Sequence, residues 1–355
     1  MCRKKRDSCS TTTLQSFSCE KFISKRGENM TYQIIVGDEI KKEAAQAVAQ
    51  GRLLNLKNDI VFKSFFSKEC KESTYCRNKM LSAVIGRKVR ETKVLNPELL
   101  PSRTDGKFPR LDIHCKLEDG SEVDVEIQNS MYQDDQIKRS IYYAATLTHN
   151  SLSSGEPYSS LAHIYQIMFM DFKTVEDKRL HHTYTFRERK DNTELSDIVQ
   201  IHYIELPKIK ELFSKPASEL SELEFWSILI MAGENEKARL LLNKLTKMQE
   251  EMDMAEALLN SMSRDQQEWE NQIGYERFVH DCISREKYAF MQGEKQGIQQ
   301  GLQQGERINA ISNAKNLLKL NKLSAEEIAL CCSLPLDQIL VLKDELSRET
   351  VSSAQ

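Results

Sequence analysis

The residues best placed to do chemistry lie between Arg110 and Ser130, in the run Arg-Leu-Asp-Ile-His-Cys-Lys-Leu-Glu-Asp-Gly-Ser-Glu-Val-Asp-Val-Glu-Ile-Gln-Asn-Ser. Asp112, His114 and Lys116 alternate with Leu111, Ile113 and Cys115. Beyond a turn at Asp119-Gly120, Asp124, Glu126 and Gln128 alternate with Val123, Val125 and Ile127. Successive strand side chains point to opposite faces, so the pattern predicts a hairpin with one apolar face and one face of carboxylates. Hard oxygen donors gathered this way suit Mg2+ or Mn2+ rather than zinc. The plain alternative is a solvated face, because charge alternates with apolar residues on many surface strands.

Register separates useful from useless arrangements. A two-residue turn would set Asp112 and Glu126 on opposite faces. A three-residue loop, Glu118-Asp119-Gly120, sets Asp112 opposite Glu126 and His114 opposite Asp124, and apolar residues meet apolar residues throughout. Such loops favour a left-handed residue at their end, where Gly120 stands. A slip of one residue would mix the faces, so the three-residue loop is predicted. Asp124 reads as a solvated neighbour rather than a ligand, and His114 as structural.

These strands need a framework, and the flanking sequence supplies its elements. Leu56, Ile60, Val61, Phe62, Phe65 and Phe66 suit a short amphipathic helix, with Asn58 as its cap and Asp59 in its first turn. A second helix is expected over Thr74 to Ile85, stopping at Gly86. After the hairpin, a helix from Asp134 to Asn150 carries an apolar line of Ile137, Ile141, Ala144, Ala145 and Thr148. Leu161 to Met170 is apolar on both faces, as a central strand would be. His182–Arg189 and Asp197–Leu206 read as a further strand pair, turning near Asp191-Asn192; His181 and His182 show no spacing for a metal. The order α-α-β-β-β-α-β-β-β predicts an α/β (α+β) core, a mixed sheet flanked by helices.

Composition agrees with a helix-rich chain. Glycine and proline number 13 and 7 among 355 residues, well under ordinary usage of roughly 7% and 5%. A formal net charge of −3 excludes a globally basic surface, so any nucleic-acid contact is local or bridged by metal. The cysteines, 9 in number, include no CxxC pair, which favours reduced thiols and a cytoplasmic setting. No apolar run approaches the roughly 18 residues of a membrane helix, and a soluble protein is expected.

Five segments are anticipated: a basic, disordered tail over 1–29, the core over 30–206, a helical extension over 207–290, a glycine-every-four stretch over 291–308, and a small helical segment over 309–355. No apolar segment follows the Arg3-Lys-Lys-Arg6 cluster, so the tail does not read as a secretory signal. Gly293, Gly297, Gly301 and Gly305 punctuate a Gln-rich stretch. Each glycine costs about 1 kcal/mol in a helix interior, so the stretch is either a flexible linker or a helix offering a smooth stripe for self-association. The helix is the favoured reading. Ser324 and Glu327 form a capping box at the head of a later helix.

Asn58-Asp59-Ile-Val-Phe-Lys63, Arg110-Leu-Asp112, Glu126-Ile-Gln128, Arg139 followed by Tyr142-Tyr143, and the glycine ladder occur in this order. Together, from about Leu54 onward, they resemble the PD-(D/E)XK nuclease family transposases, also called recombination-promoting nucleases. The resemblance implies a restriction-endonuclease-like core and a metal-dependent DNA endonuclease linked to recombination or mobile elements. It implies Asp112 and Glu126 as metal ligands, with the Ile127 carbonyl as a third. Gln128 stands where the wider superfamily usually has lysine, and a glutamine can only hydrogen-bond to an attacking water. Asp59 is implied as an additional carboxylate or else a helix-start residue, Arg139 with Lys138 as a phosphate clamp, and Tyr143 as support. The resemblance implies DNA as a partner, and the glycine stripe of the C-terminal helical region implies a second copy. Two rivals stand beside this reading: a catalytically silent DNA-binding relative, and a helical interaction protein.

Overall fold

The computed structural model describes residues 37–96, 111–129, 133–246 and 250–352. The tail anticipated over 1–29 lies outside the described residues, as do Arg110 and Ser130 at the two ends of the hairpin run.

Three helices precede the sheet: α1 (Asp38–Ala49), α2 (Asp59–Ser67) and α3 (Lys71–Ile85). The Asn58 side chain accepts the amides of Ile60 and Val61, so α2 starts where the sequence places it. Its Phe62, Phe65 and Phe66 are fully buried, each burial contributing about 1.5–3 kcal/mol. Gly86 ends α3 in the left-handed conformation, with φ 76°.

The sheet contains β1 (Thr92–Val94), β2 (Ile113–Leu117), β3 (Glu122–Gln128), β4 (Ile164–Met170), β5 (His181–Arg187) and β6 (Glu194–Glu205), ordered β1-β2-β3-β4-β6-β5. The β3–β4 and β4–β6 pairs are parallel and the others antiparallel. Helix α4 (Gln133–Asn150) is the crossover between β3 and β4. Every residue of β4 is buried, as its apolar run requires of a central strand. Asn192, with φ 62°, turns the chain between β5 and β6.

The faces of the sheet are covered differently. Val123, Val125, Ile127, Ile167, Phe169 and Ile204 join the phenylalanines of α2 in the main apolar core. The other face meets α4, where Ser140 Oγ and Tyr203 Oη lie 2.6 Å apart. This layer is partly polar, and it corrects three expectations. Ile137, Ile141 and Ala145 of α4 are exposed, and the buried line runs through Gln136, Ser140, Ala144 and Leu147, because that face meets Tyr203 and the acidic residues of β3. Asp124, expected as a solvated neighbour, is fully buried, because β3 is interior and Arg139 of α4 reaches over its acidic face to Glu126. Leu111 leaves the apolar face of β2 and packs on Tyr143, Leu147 and Ile164, since the chain bends at Asp112 before β2 begins.

Helices α5 (Glu222–Met231), α6 (Glu236–Leu245) and α7 (Glu250–Ser263) contribute Trp226, Leu242 and Leu259 to the main core. Gly233 follows α5 and meets the 54–55 segment so closely that a Cβ there would lie 2.4 Å from the Leu54 carbonyl oxygen. Helix α8 spans Gln266–Leu320 and contains the whole glycine ladder, whose glycines face open space. Two compact units result, the larger ending at Phe278 and the smaller beginning at Val279. In the smaller unit α9 (Ala325–Cys332) and α10 (Leu336–Ser352) bury Ile328, Cys332, Ile339 and Leu342 with Ala314. Ser324 and Glu327 form the capping box of α9.

Candidate active site

The hairpin has the predicted register. Ile113 pairs with Val125, His114 with Asp124 and Cys115 with Val123, which sets Asp112 across from Glu126. The Leu117 amide donates to Ser121 O at 2.8 Å and the Gly120 amide to Leu117 O at 3.0 Å. Gly120, at φ 88°, supplies the left-handed end of the three-residue loop.

At the open end of this ladder each carboxylate takes a backbone donor from the opposite strand. The Asp112 amide donates to Glu126 Oε1 at 3.0 Å, and the Ile127 amide donates to Asp112 Oδ2 at 3.1 Å. Glu126 Oε2 accepts from Gln128 Nε2 at 2.8 Å and from an Arg139 guanidinium nitrogen at 3.1 Å. Arg139 is itself steadied by the Tyr143 ring, 4.9 Å from its guanidinium carbon. The other oxygen of Asp112, Oδ1, lies 2.9 Å from Lys63 Nζ, and the same ammonium lies 3.1 Å from Asp59 Oδ2. Lys63 comes from α2 and Arg139 from α4, so one cation from each helical layer flanks the pair. Asp59, Asp112, Glu126, Ile127, Gln128, Arg139 and Tyr143 are thus brought together; Lys138, on the exposed side of α4, is not.

Burial and like charge make these acids costly to ionise. Burial pushes the Asp112 carboxyl up to about 6, and repulsion from Asp59 adds to it against the pull of Lys63. Burial, with repulsion from Asp124 and Asp112, holds Glu126 well above the ordinary carboxylate range. Asp124 is also raised, first by burial. Its Oδ2 accepts Gln166 Nε2 at 2.6 Å while its Oδ1 is buried without a hydrogen-bond partner. The expectation of a solvated Asp124 fails for this reason: β4 covers one side of the strand and α4 its face. His114 lies 3.1 Å from Glu122 and 3.1 Å from the Asn96 carbonyl, and makes no contact with Asp112 or Glu126.

Among the described residues no three His, Cys, Asp or Glu side chains converge tightly enough to enclose an ion. The donor set still fits a small divalent cation. It offers hard oxygens, and acids that are costly to ionise side by side would be relieved by a divalent cation between them. Magnesium is commonly held by one or two carboxylates, with water and phosphate completing its shell.

A family model described as PD-(D/E)XK nuclease family transposase matches residues 56–289, well over half of the chain. The chain belongs to this family. The matched span begins just before α2 and includes every element of the sheet. Among curated proteins and among solved structures, no significant match was found. Proteins of the PD-(D/E)XK nuclease kind generally use divalent ions, in keeping with the oxygen donors here. Among the described residues no helix is long and apolar enough to cross a membrane.

Sequence reasoning did not assign roles to Lys63, Gln166 or a buried Asp124 in this family site. A signal for Lys63 was present, since Asp59 and Lys63 stand one helical turn apart and share a face. Nothing local marks Gln166, which reaches Asp124 only through the parallel pairing of β3 and β4.

Proposed function

We propose that this protein is a Mg2+-dependent DNA endonuclease acting in recombination or in the movement of genetic elements, with Mn2+ able to replace Mg2+. The observation that carries the reading is the pairing of Asp112 with Glu126 at the hairpin's open end, flanked by Lys63 and Arg139. Asp112 and Glu126, with the Ile127 carbonyl, would hold the ion. When bound, the ion supplies charge neutralisation at a phosphodiester and activation of water.

The chain's own residues do the rest. The Asp112 and Ile127 amides hold the two carboxylates in register. Gln128 holds Glu126 now and can orient a water by hydrogen bonding, without accepting a full proton. Arg139, braced on Tyr143, positions Glu126 and presents its partly exposed edge to a phosphate. Asp59 adds negative charge at the entrance. DNA is the substrate, the setting is cytoplasmic, and the exposed glycine ladder of α8 pairs with a second copy.

A second reading, a silent DNA-binding relative, is favoured by one observation: all four oxygens of Asp112 and Glu126 have donors from the chain itself. Incubation with supercoiled plasmid in Mg2+ or in EDTA decides between them. Nicking that needs Mg2+ and disappears in Asp112→Ala and Glu126→Ala supports the nuclease. Cleavage persisting in both variants rejects the site, and DNA binding without cleavage supports the silent relative.

A further inference from the structure

Of the donors around Asp112 and Glu126, most are fixed in place. Two are backbone amides, Gln128 is buried, and Arg139 rests on the Tyr143 ring. Lys63 differs. Its side chain is 31% exposed, its stem is flexible, and its ammonium touches both Asp112 Oδ1 at 2.9 Å and Asp59 Oδ2 at 3.1 Å. Asp59 sits one turn earlier on the same helix, so the ammonium can leave Asp112 without losing its charged partner or its place on α2. Asp112 Oδ1 has the more buried carboxylate, with 9% of its side chain exposed against 25% for Asp59. A small divalent ion arriving there would meet Lys63 as a competing cation.

We propose that Lys63 is a displaceable counter-ion that holds Asp112 in the metal-free protein, yields Oδ1 to an arriving divalent ion, and is retained by Asp59 at the site's edge. The inference rests on Asp112 and Glu126 being a metal site. In the free protein Lys63 keeps the acids from repelling one another apart. In the metal-bound protein it leaves a positive charge beside the entrance. Metal affinity is therefore set below what the carboxylates alone would give.

Isothermal titration with Mn2+, without DNA, tests this on the full chain. Lys63→Met removes the charge and keeps the stem; it is expected to bind Mn2+ about tenfold more tightly than the wild type. Lys63→Arg keeps a charge and is expected to bind with near wild-type affinity. Lys63→Gln replaces the methionine variant should that variant fail to melt cooperatively. Unchanged or weaker binding in the uncharged variants, with wild-type binding intact, overturns the counter-ion role alone. Tighter binding in Lys63→Arg equal to that of Lys63→Met also overturns it. Failure of wild type and variants alike to bind overturns the metal site and this inference together.

Discussion

The amide of Asp112 donates to Glu126 Oε1 at 3.0 Å, while Asp112 Oδ2 accepts the amide that follows Glu126 at 3.1 Å. The two acids thus hold the end of their own hairpin, and neither can be moved without loosening the other. The proposed site and the fold share these contacts, so variants are judged on both stability and cleavage.

Arg139 offers a first division between the two. Its side chain is 37% exposed, and one guanidinium nitrogen lies 3.1 Å from the fully buried Glu126 carboxylate. Arg139→Met is expected to lower stability by about 1–2 kcal/mol, discounted from a buried pair because water screens the cation. Plasmid cleavage should fall further than in Lys138→Met, whose side chain points to solvent. Urea denaturation and nicking assays on both variants check this, and equal loss in the two would remove Arg139 from the site.

Asn58 fixes the start of α2 and with it the phase of Asp59 and Lys63. Its side chain accepts the amides of Ile60 and Val61. Asn58→Ala is expected to cost about 1 kcal/mol, and Asn58→Asp, which keeps the acceptor, much less. Thermal melts of the two variants provide the comparison.

Gly233 is required by a close approach rather than by its own backbone angle. A Cβ would lie 2.4 Å from Leu54 O and 2.7 Å from Asn55 Cα. Neither backbone atom can yield without moving the segment that leads into α2. Gly233→Ala should therefore destabilise by about 1–3 kcal/mol, whereas Gly297→Ala, with open space around it in the single chain, should leave the stability of the monomer, measured at low protein concentration, unchanged or raise it. A chemical denaturation midpoint lowered by Gly233→Ala and unchanged or raised by Gly297→Ala is the expected result.

His181 and His202 stack 5.1 Å apart, with Nε2 and Nδ1 separated by 2.9 Å. Burial first, then repulsion from neighbouring imidazoles, lowers His202 to about 3 and His181 to about 4. In the unfolded chain both take up protons near the ordinary value of about 6.5. Below that pH the unfolded state binds more protons, so stability present above about 6.5 is lost progressively as pH falls towards 4. Melting temperatures across that window should fall more steeply for the wild type than for the double variant His181→Gln, His202→Gln. Parallel slopes would contradict the buried neutral pair.

The hairpin was legible in sequence because alternation, a glycine and the requirement for matching faces together left one register. Helix α2 was legible through Asn58 and its phenylalanines. What sequence concealed was what lies above the hairpin. Ile137 and Ile141 look like a core line, yet α4 turns Gln136 and Ser140 inward because the strands below present Glu126, Asp124 and Tyr203. Helix propensity and periodicity report that a face exists, and only the sheet order tells which residues it meets. The spacing of Asp59 and Lys63 records their own contact, but the contact of Lys63 with Asp112 joins two elements separated in the chain, and no local pattern records that one.

The proposed site stands on Asp112 and Glu126 holding one divalent ion between them. Crystals grown with Mn2+, with data collected for anomalous scattering from manganese, measure this most directly. A single strong anomalous peak bonded to oxygens of both Asp112 and Glu126, with Lys63 drawn back towards Asp59, is the predicted result. An anomalous map with no peak at these residues, or with manganese bound elsewhere while Asp112 stays on Lys63, would contradict it.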